Sequence, residues 1–290
     1  MTFSGSERLR ETVRSFARRD AWRAGRVFFE EETRREPRGA EARAHLGFFC
    51  VKETRYDTKR GLAEFAAALE LDADCAQAYV YRSVTLGSLQ NPAAAREALG
   101  AAERLGARPQ DLTWARACIE LDAGSVGEAV AQFRRLVDME RDSSSMILLS
   151  QAYSQAGDNR EALAWARKAF ESDAEDFRAP TYMGVYLAYL RRFAEARAEL
   201  ERAAGFGADY PLLHHTLAYT ACEEGKADEA ERHLRKALEI DPEYVTSRKR
   251  LADLCAASGR LPEAREHYRR ALERFPDYKE AREALLRLDR

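Results

Sequence analysis

The chain has 290 residues, of which 46% are hydrophobic and 33% charged, with 16 glycines and 8 prolines. This composition excludes a collagenous or low-complexity chain and describes a helix-prone globular one. A formal net charge of −2 lacks the basic excess that displaces counterions from a phosphate backbone, so no nucleic-acid partner is expected.

No apolar run reaches the roughly 18 residues that a membrane-spanning helix needs. The opening "MTFSGSERLRETVRSF" has no apolar stretch between a basic end and a cleavage site, so neither membrane insertion nor secretion is expected. Cys50, Cys75, Cys118, Cys222 and Cys255 form no C-x-x-C pair, which argues against a disulfide framework or structural zinc. These readings together predict a cytoplasmic protein, and the abundance of Ala and Arg is that of a GC-rich bacterial genome.

A column of small residues runs through the chain: Gly25, Gly61, Ala95, Ala129, Ala162, Ala196, Ala230 and Ala264, separated by 36, 34, 34, 33, 34, 34 and 34 positions. Four residues after each stands Phe29, Phe65, Leu99, Phe133, Ala166, Leu200, Leu234 or Tyr268. Three further on stand Glu32, Ala68, Ala102, Leu136, Ala169, Ala203, Ala237 and Ala271. Offsets of four and three put all three columns on one helical face. A second helical pattern precedes each column, as in Leu46-Gly47, Leu149-Ser150, Met183-Gly184, Leu217-Ala218 and Leu251-Ala252.

The chain therefore divides into helix-turn-helix units over 6–37, 40–73, 76–107, 111–142, 143–174, 177–208, 211–242 and 245–276. The first unit places Trp22 in an apolar phase and ends at Pro37. The second carries two extra residues around "VKETRYDTKRG". In the third, Pro92 falls near the first turn of a helix, where a missing N–H costs nothing. The fourth holds Trp114 and is one residue short between Leu121 and Gly124. The serines of "RDSSSM" are expected to cap the helix that opens the fifth unit, which also holds Trp165. "GFG" at Gly205 to Gly207 falls at a turn between the sixth and seventh units. Gly124, Gly157, Gly225 and Gly259 stand where a first helix must end in a left-handed residue. Pro262 opens a helix, while Pro242 and Pro276 follow one. Residues 277–290 form a last amphipathic helix, with Ala281, Ala284, Leu285 and Leu288 inward, that caps the open end.

The pattern in "LADLCAASGRLPEAREHYRRALERFP" resembles the tetratricopeptide repeat, and the likeness extends over the whole chain. It implies an all-α, right-handed α-solenoid of about eight units plus a capping helix, forming one array over 1–290. It also implies that the first helix of each unit lines a concave surface. Carried onto this sequence, the lining includes Phe48, Tyr81, Val84, Ile119, Ile147, Gln151, Arg178, Tyr182, Val185, Tyr189, His215, Tyr219, Lys249 and Arg250, and begins with Glu7, Arg10, Glu11 and Arg14. Family members that clamp a chaperone's C-terminal carboxylate use a Lys and an Asn one turn apart. Here Lys249 is followed by Asp253 and the lining has no Asn, so the chain departs from that clamp.

No phosphate-binding glycine loop, H-E-x-x-H or G-x-S-x-G occurs, and the acidic run "FFEEETRREP" reads as a solvated face. His214 and His215 are adjacent and diverge on a helix, which does not favour chelation. No catalytic residue, metal or cofactor is expected. The leading expectation is a non-catalytic intracellular adaptor that holds a peptide segment or a helix of a partner protein in its groove. A self-assembling scaffold is the alternative, and an RNA-binding helical repeat a more distant one.

Overall fold

Close helix approach needs a residue that leaves room for the facing backbone, and the small-residue column supplies it. The computed structural model describes residues 5–18, 22–53, 58–207 and 209–288. In it Ala95, Ala129, Ala162, Ala196, Ala230 and Ala264 are all 0% exposed. At the two glycines of the column even a methyl group has no space. A Cβ at Gly25 would lie 2.2 Å from Phe49 Cε1, and one at Gly61 would lie 2.3 Å from Val51 Cγ2. The bulky members Phe29, Phe65, Leu200 and Leu234 fill the seams beside them at 0% exposure.

Seventeen helices and no strand are present among the described residues. They pair as α1 (Gly5–Arg18) with α2 (Trp22–Arg35), α3 (Ala40–Glu53) with α4 (Thr58–Leu71), α5 (Ala76–Ser88) with α6 (Pro92–Arg104), and α7 (Pro109–Asp122) with α8 (Val126–Glu140). Then follow α9 (Ser143–Gln155) with α10 (Asn159–Ser172), α11 (Arg178–Tyr189) with α12 (Phe193–Gly205), α13 (Pro211–Glu223) with α14 (Ala227–Ile240), and α15 (Val245–Ala257) with α16 (Leu261–Arg274). Helix α17 (Lys279–Leu288) packs on α16 and buries Ala281. The extra residues expected between α3 and α4 include 54–57, which lie outside the described residues, as do the first four residues of the opening stretch.

The helix ends follow from local chemistry. Gly124, Gly157, Gly225 and Gly259 take φ of 80°, 83°, 75° and 76°. The next residue then donates its N–H back into the helix, as in Asp158 N to Tyr153 O at 2.9 Å and Arg260 N to Cys255 O at 2.9 Å. This turn satisfies carbonyls that a helix end otherwise leaves bare. Where the turn lacks glycine, Gln90 and Arg191 adopt the same left-handed conformation at φ 57° and 59°. At the start of α9 the cap is Asp142, not a serine: its Oδ1 accepts from Ser145 N at 2.8 Å. The serines form the first turn, and the buried Ser143 hydroxyl donates to Asp176 at 2.8 Å. A carboxylate outcompetes a hydroxyl as acceptor for helix N–H groups because it also answers the helix dipole.

The chain forms two compact units, Met1–Asp176 and Phe177–Arg290. In the first, α3, α5 and α7 pack side by side, and α2, α4, α6 and α8 each pack on their partner and on the next first helix. The second repeats the scheme with α11 against α13, α12 against α13, and α14 against α15. The protein is thus an all-α repeat solenoid, whose unit of stability is the contact between neighbouring pairs.

Candidate functional site

In the residues from 177 onward, α11, α13 and α15 bring aromatic and cationic side chains to one face. Tyr182 and Tyr186 of α11 stack at 6.1 Å, with Tyr186 buried and Tyr182 half-buried. One turn beyond Val185, Tyr189 stands 56% exposed. Its ring lies 6.5 Å from that of Tyr219 on α13, which Phe193 meets edge-on at 6.2 Å. The Arg250 guanidinium, from α15, sits 4.8 Å above the Tyr219 ring, a favourable cation–π arrangement. Among the described residues Arg250 pairs with no carboxylate, whereas Lys249 bonds Asp253 at 2.8 Å and Arg191 bonds Glu223 at 3.1 Å. Asp253 in turn accepts from Tyr268 at 2.6 Å. Beside Arg250, His215 makes a hydrogen bond to Ser247 at 2.9 Å. Burial, helped by the neighbouring Arg250 charge, holds the His215 pKa down at about 4, so it is neutral at pH 7. Arg178 is half-buried at the start of α11.

Up to residue 176 the corresponding aromatics close on one another. Phe48 stacks on Tyr81 at 4.6 Å and meets Trp114 at 6.2 Å, while Tyr81 exchanges a hydrogen bond with His45 Nδ1 at 3.0 Å. His45 is fully buried, and desolvation lowers its pKa to about 3. Lys52 lies 5.7 Å over the Phe48 ring, and burial pushes the nearby Cys118 thiol up to about 12. Val84 packs partly buried against this core, and Gln151 is half-buried on α9.

The expected lining therefore splits. Tyr189, Tyr219, Arg250 and His215 come together, as do Phe48, Tyr81 and Val84, whereas Lys249 turns to Asp253 and Tyr182 to Tyr186. Tyr81, Ile119, Ile147 and Val185 are 7%, 4%, 2% and 7% exposed, so of the expected lining these four side chains are packed among the helices. The reason is the width of the buried stripe on a first helix, which touches its own partner and two neighbours. Ile119, for instance, packs where a Cβ on Gly87 of α5 would lie 3.3 Å from its Cγ1. Arg191 and Phe193 were missed because they belong to a turn and a second helix, outside the first helices from which the lining was read.

Cys255, Glu263 and His267 place one ligand atom each within 4.8 Å of one another, which sequence reading did not foresee. The i, i+4 spacing of Glu263 and His267 was the available signal. Glu263 already accepts from Arg235 at 2.6 Å and Arg260 at 3.2 Å, and burial raises the Cys255 thiol, so the group reads as an ion-pair and packing cluster. His214 meets His233 at 3.2 Å and Asp209 at 2.9 Å, a surface hydrogen-bond chain. No helix among the described residues is long and apolar enough to cross a membrane.

Family models described as tetratricopeptide repeat match residues 85–146, 143–176 and 221–288. No curated protein is significantly similar to the sequence. Solved structures of similar fold include yeast Tom70, with a TM-score of 0.67 at 15% identity over 93% of this chain and 58% of that one. A chain of the APC/C hetero-tetramer Cut9–Hcn1 aligns with a TM-score of 0.64 at 13% identity over 86% of this chain and 56% of that one. TTC0263, a thermophilic TPR protein of Thermus thermophilus, aligns with a TM-score of 0.55 at 24% identity over 63% of this chain and 100% of that one. This chain thus spans little more than half the length of the first two, and at such identities the likeness shows the fold alone.

Proposed function

This chain belongs to the tetratricopeptide repeat family, whose members are protein-interaction scaffolds, and we propose that it is a non-catalytic adaptor that docks a peptide segment or helix of a partner protein on α11, α13 and α15. The observation that carries this reading is the exposed Tyr189 beside Tyr219 under the Arg250 guanidinium. Tyrosines offer a large contact area at low entropy cost, and a cation held over an aromatic ring without a carboxylate partner suits an incoming acidic group next to a bulky apolar one. Tyr182, Lys249 and Arg178 lie on the same helices as the patch, and Phe48, Val84 and Gln151, on the first helices of the other unit, are not part of it.

The test is affinity capture with the full chain, wild type against a folded Tyr182→Ala/Tyr219→Ala variant. Interface energy concentrates in buried aromatics, so each truncation is expected to cost about 1 to 3 kcal/mol of binding. A partner recovered by the wild type and lost by the variant supports the adaptor. Equal recovery by both, or recovery of the chain itself alone, moves the reading to another face or to self-assembly, which light scattering at several concentrations would then measure.

A further inference from the structure

In a regular stack a first helix touches its partner and the next pair, yet α1 reaches much further. Its Arg14 guanidinium meets both oxygens of Glu140 at the end of α8, at 2.9 and 3.2 Å, a contact spanning 126 residues of sequence. One turn earlier Arg10 pairs with Glu41 of α3 at 3.2 Å. Glu140 also accepts from Arg108, the residue that opens α7, at 3.2 Å. The half-buried Asp111, one turn into α7, lies in the field of Arg10, Arg14 and Arg108. The two arginines of α1, four residues apart, thus lie over an acidic surface assembled from α3, α7 and α8. On the adjoining face of α1, Leu9, Val13 and Phe16 pack against the cluster of Phe29, Leu46 and Phe49. Phe16 meets Phe28 at 5.7 Å and Phe49 edge-on at 5.9 Å.

Two features set α1 apart from the other first helices. Its grip on α7 and α8 is by ion pairs at the surface, with Arg14 41% exposed at its side chain, and such pairs are weak and salt-sensitive. The surface it covers is acidic, polar and already built by other helices: Glu140 and Glu41 keep only 15% and 24% of their side chains exposed. A basic amphipathic helix lying in a groove is a recurrent mode of peptide recognition, read as anchors at i, i+3, i+4 and i+7. Leu9, Val13 and Phe16 follow that spacing, with Arg10 and Arg14 one turn apart beside them.

We propose that the surface of Glu41, Asp111 and Glu140 is a second docking site, for an amphipathic helix with two basic residues four apart beside an apolar stripe, and that α1 is its intramolecular occupant. A partner helix of this chemistry binds by displacing α1, so the site is closed until such a helix is present. Charge complementarity and the seating of α1 itself identify the occupant. This site shares no residue with the aromatic patch on α11, α13 and α15 and does not depend on it.

The experiment uses the full chain and, as probe, a fluorescent peptide of residues 5–18. Arg10→Glu/Arg14→Glu sets α1 against Glu41 and Glu140 and frees that surface. The peptide is expected to bind this variant at least tenfold more tightly than the wild type, more weakly as salt rises, and to lose that gain when Glu140→Lys is added. Equal binding to wild type and double variant, or a triple variant that binds as tightly as the double one, overturns the proposal. If circular dichroism shows the double variant unfolded, hydrogen exchange on the wild type decides instead. Excess peptide is then expected to deprotect the amides of α1 while α3 to α8 stay protected, and an α1 unchanged at saturating peptide overturns the proposal.

Discussion

Tyr81 and Tyr182 stand at the same register, each fourteen residues before the small residue of its repeat, Ala95 and Ala196. Their surroundings differ. Tyr81 is 7% exposed, stacked on Phe48 and hydrogen-bonded to His45, so every part of the side chain is used within residues 1–176. Tyr182 is half-buried and continues through Tyr186 towards Tyr189, which is 56% exposed, and Tyr219, capped by Arg250. A repeat register places a side chain on a helix face, but its neighbours on adjacent helices decide whether it packs or binds. Where α3 supplies a histidine and a phenylalanine, Tyr81 becomes core; further along the same face of α11 from Tyr182, where α13 supplies Tyr219 under the Arg250 guanidinium, Tyr189 stays on the surface.

The comparison breaks first if the column that aligns the repeats is wrong. Ala230→Arg puts a charge into a site of 0% exposure, and a loss of about 3 to 5 kcal/mol is expected, read from the urea midpoint. An unchanged midpoint would mean that the repeats are not in the register on which the comparison rests. Next come the two tyrosines that separate packing from binding. Tyr219→Ala is expected to weaken partner binding by about 1 to 3 kcal/mol. Tyr81→Phe should leave binding untouched and cost about 1 to 2 kcal/mol of stability, because His45 Nδ1 loses its partner inside the core. Binding loss on Tyr81→Phe would erase the distinction.

The same histidine makes the first unit acid-sensitive. Unfolded, His45 titrates near its ordinary 6.5; folded, near 3. Between these values the unfolded chain holds a proton that the folded chain excludes, so stability falls as pH drops below about 6.5, by up to about 1.4 kcal/mol per pH unit. His45→Gln should flatten that slope in denaturation series at pH 7, 6 and 5, and an unaltered slope would assign the sensitivity elsewhere. The smallest effect concerns a turn. Gln90 holds φ of 57° where the next repeat uses Gly124, and Gln90→Gly should gain about 0.5 kcal/mol once strain relief is set against glycine's extra entropy loss. A calorimetric midpoint that falls instead would show that the Gln90 side-chain bond to Asp122 O at 3.2 Å outweighs the strain.

Most of the fold was legible in the sequence because it is written in local, repeated terms. Ala95 and Ala264 report helix contact by their spacing alone, and Gly124 and Gly259 report helix ends by the conformation that only glycine takes cheaply. The site was legible only as far as the helix face. That Ile119 packs against α5 while Tyr189 does not depends on neighbours dozens of residues away. The reach of Arg14 to Glu140 across 126 residues leaves no periodic trace at all. Asp142 as cap, in place of the serines after it, was a near miss of one residue, decided by charge.

The most direct test of the contrast between the closed aromatic cluster around Phe48 and the open one around Tyr189 is site-specific photo-crosslinking in cells that make the full chain. A benzophenone amino acid would replace Tyr189 in one variant and Phe48 in another. The account predicts an adduct with a partner protein from position 189 and only intramolecular products from position 48. Partner adducts at 48 with none at 189 would contradict it and place the working surface on α3, α5 and α7.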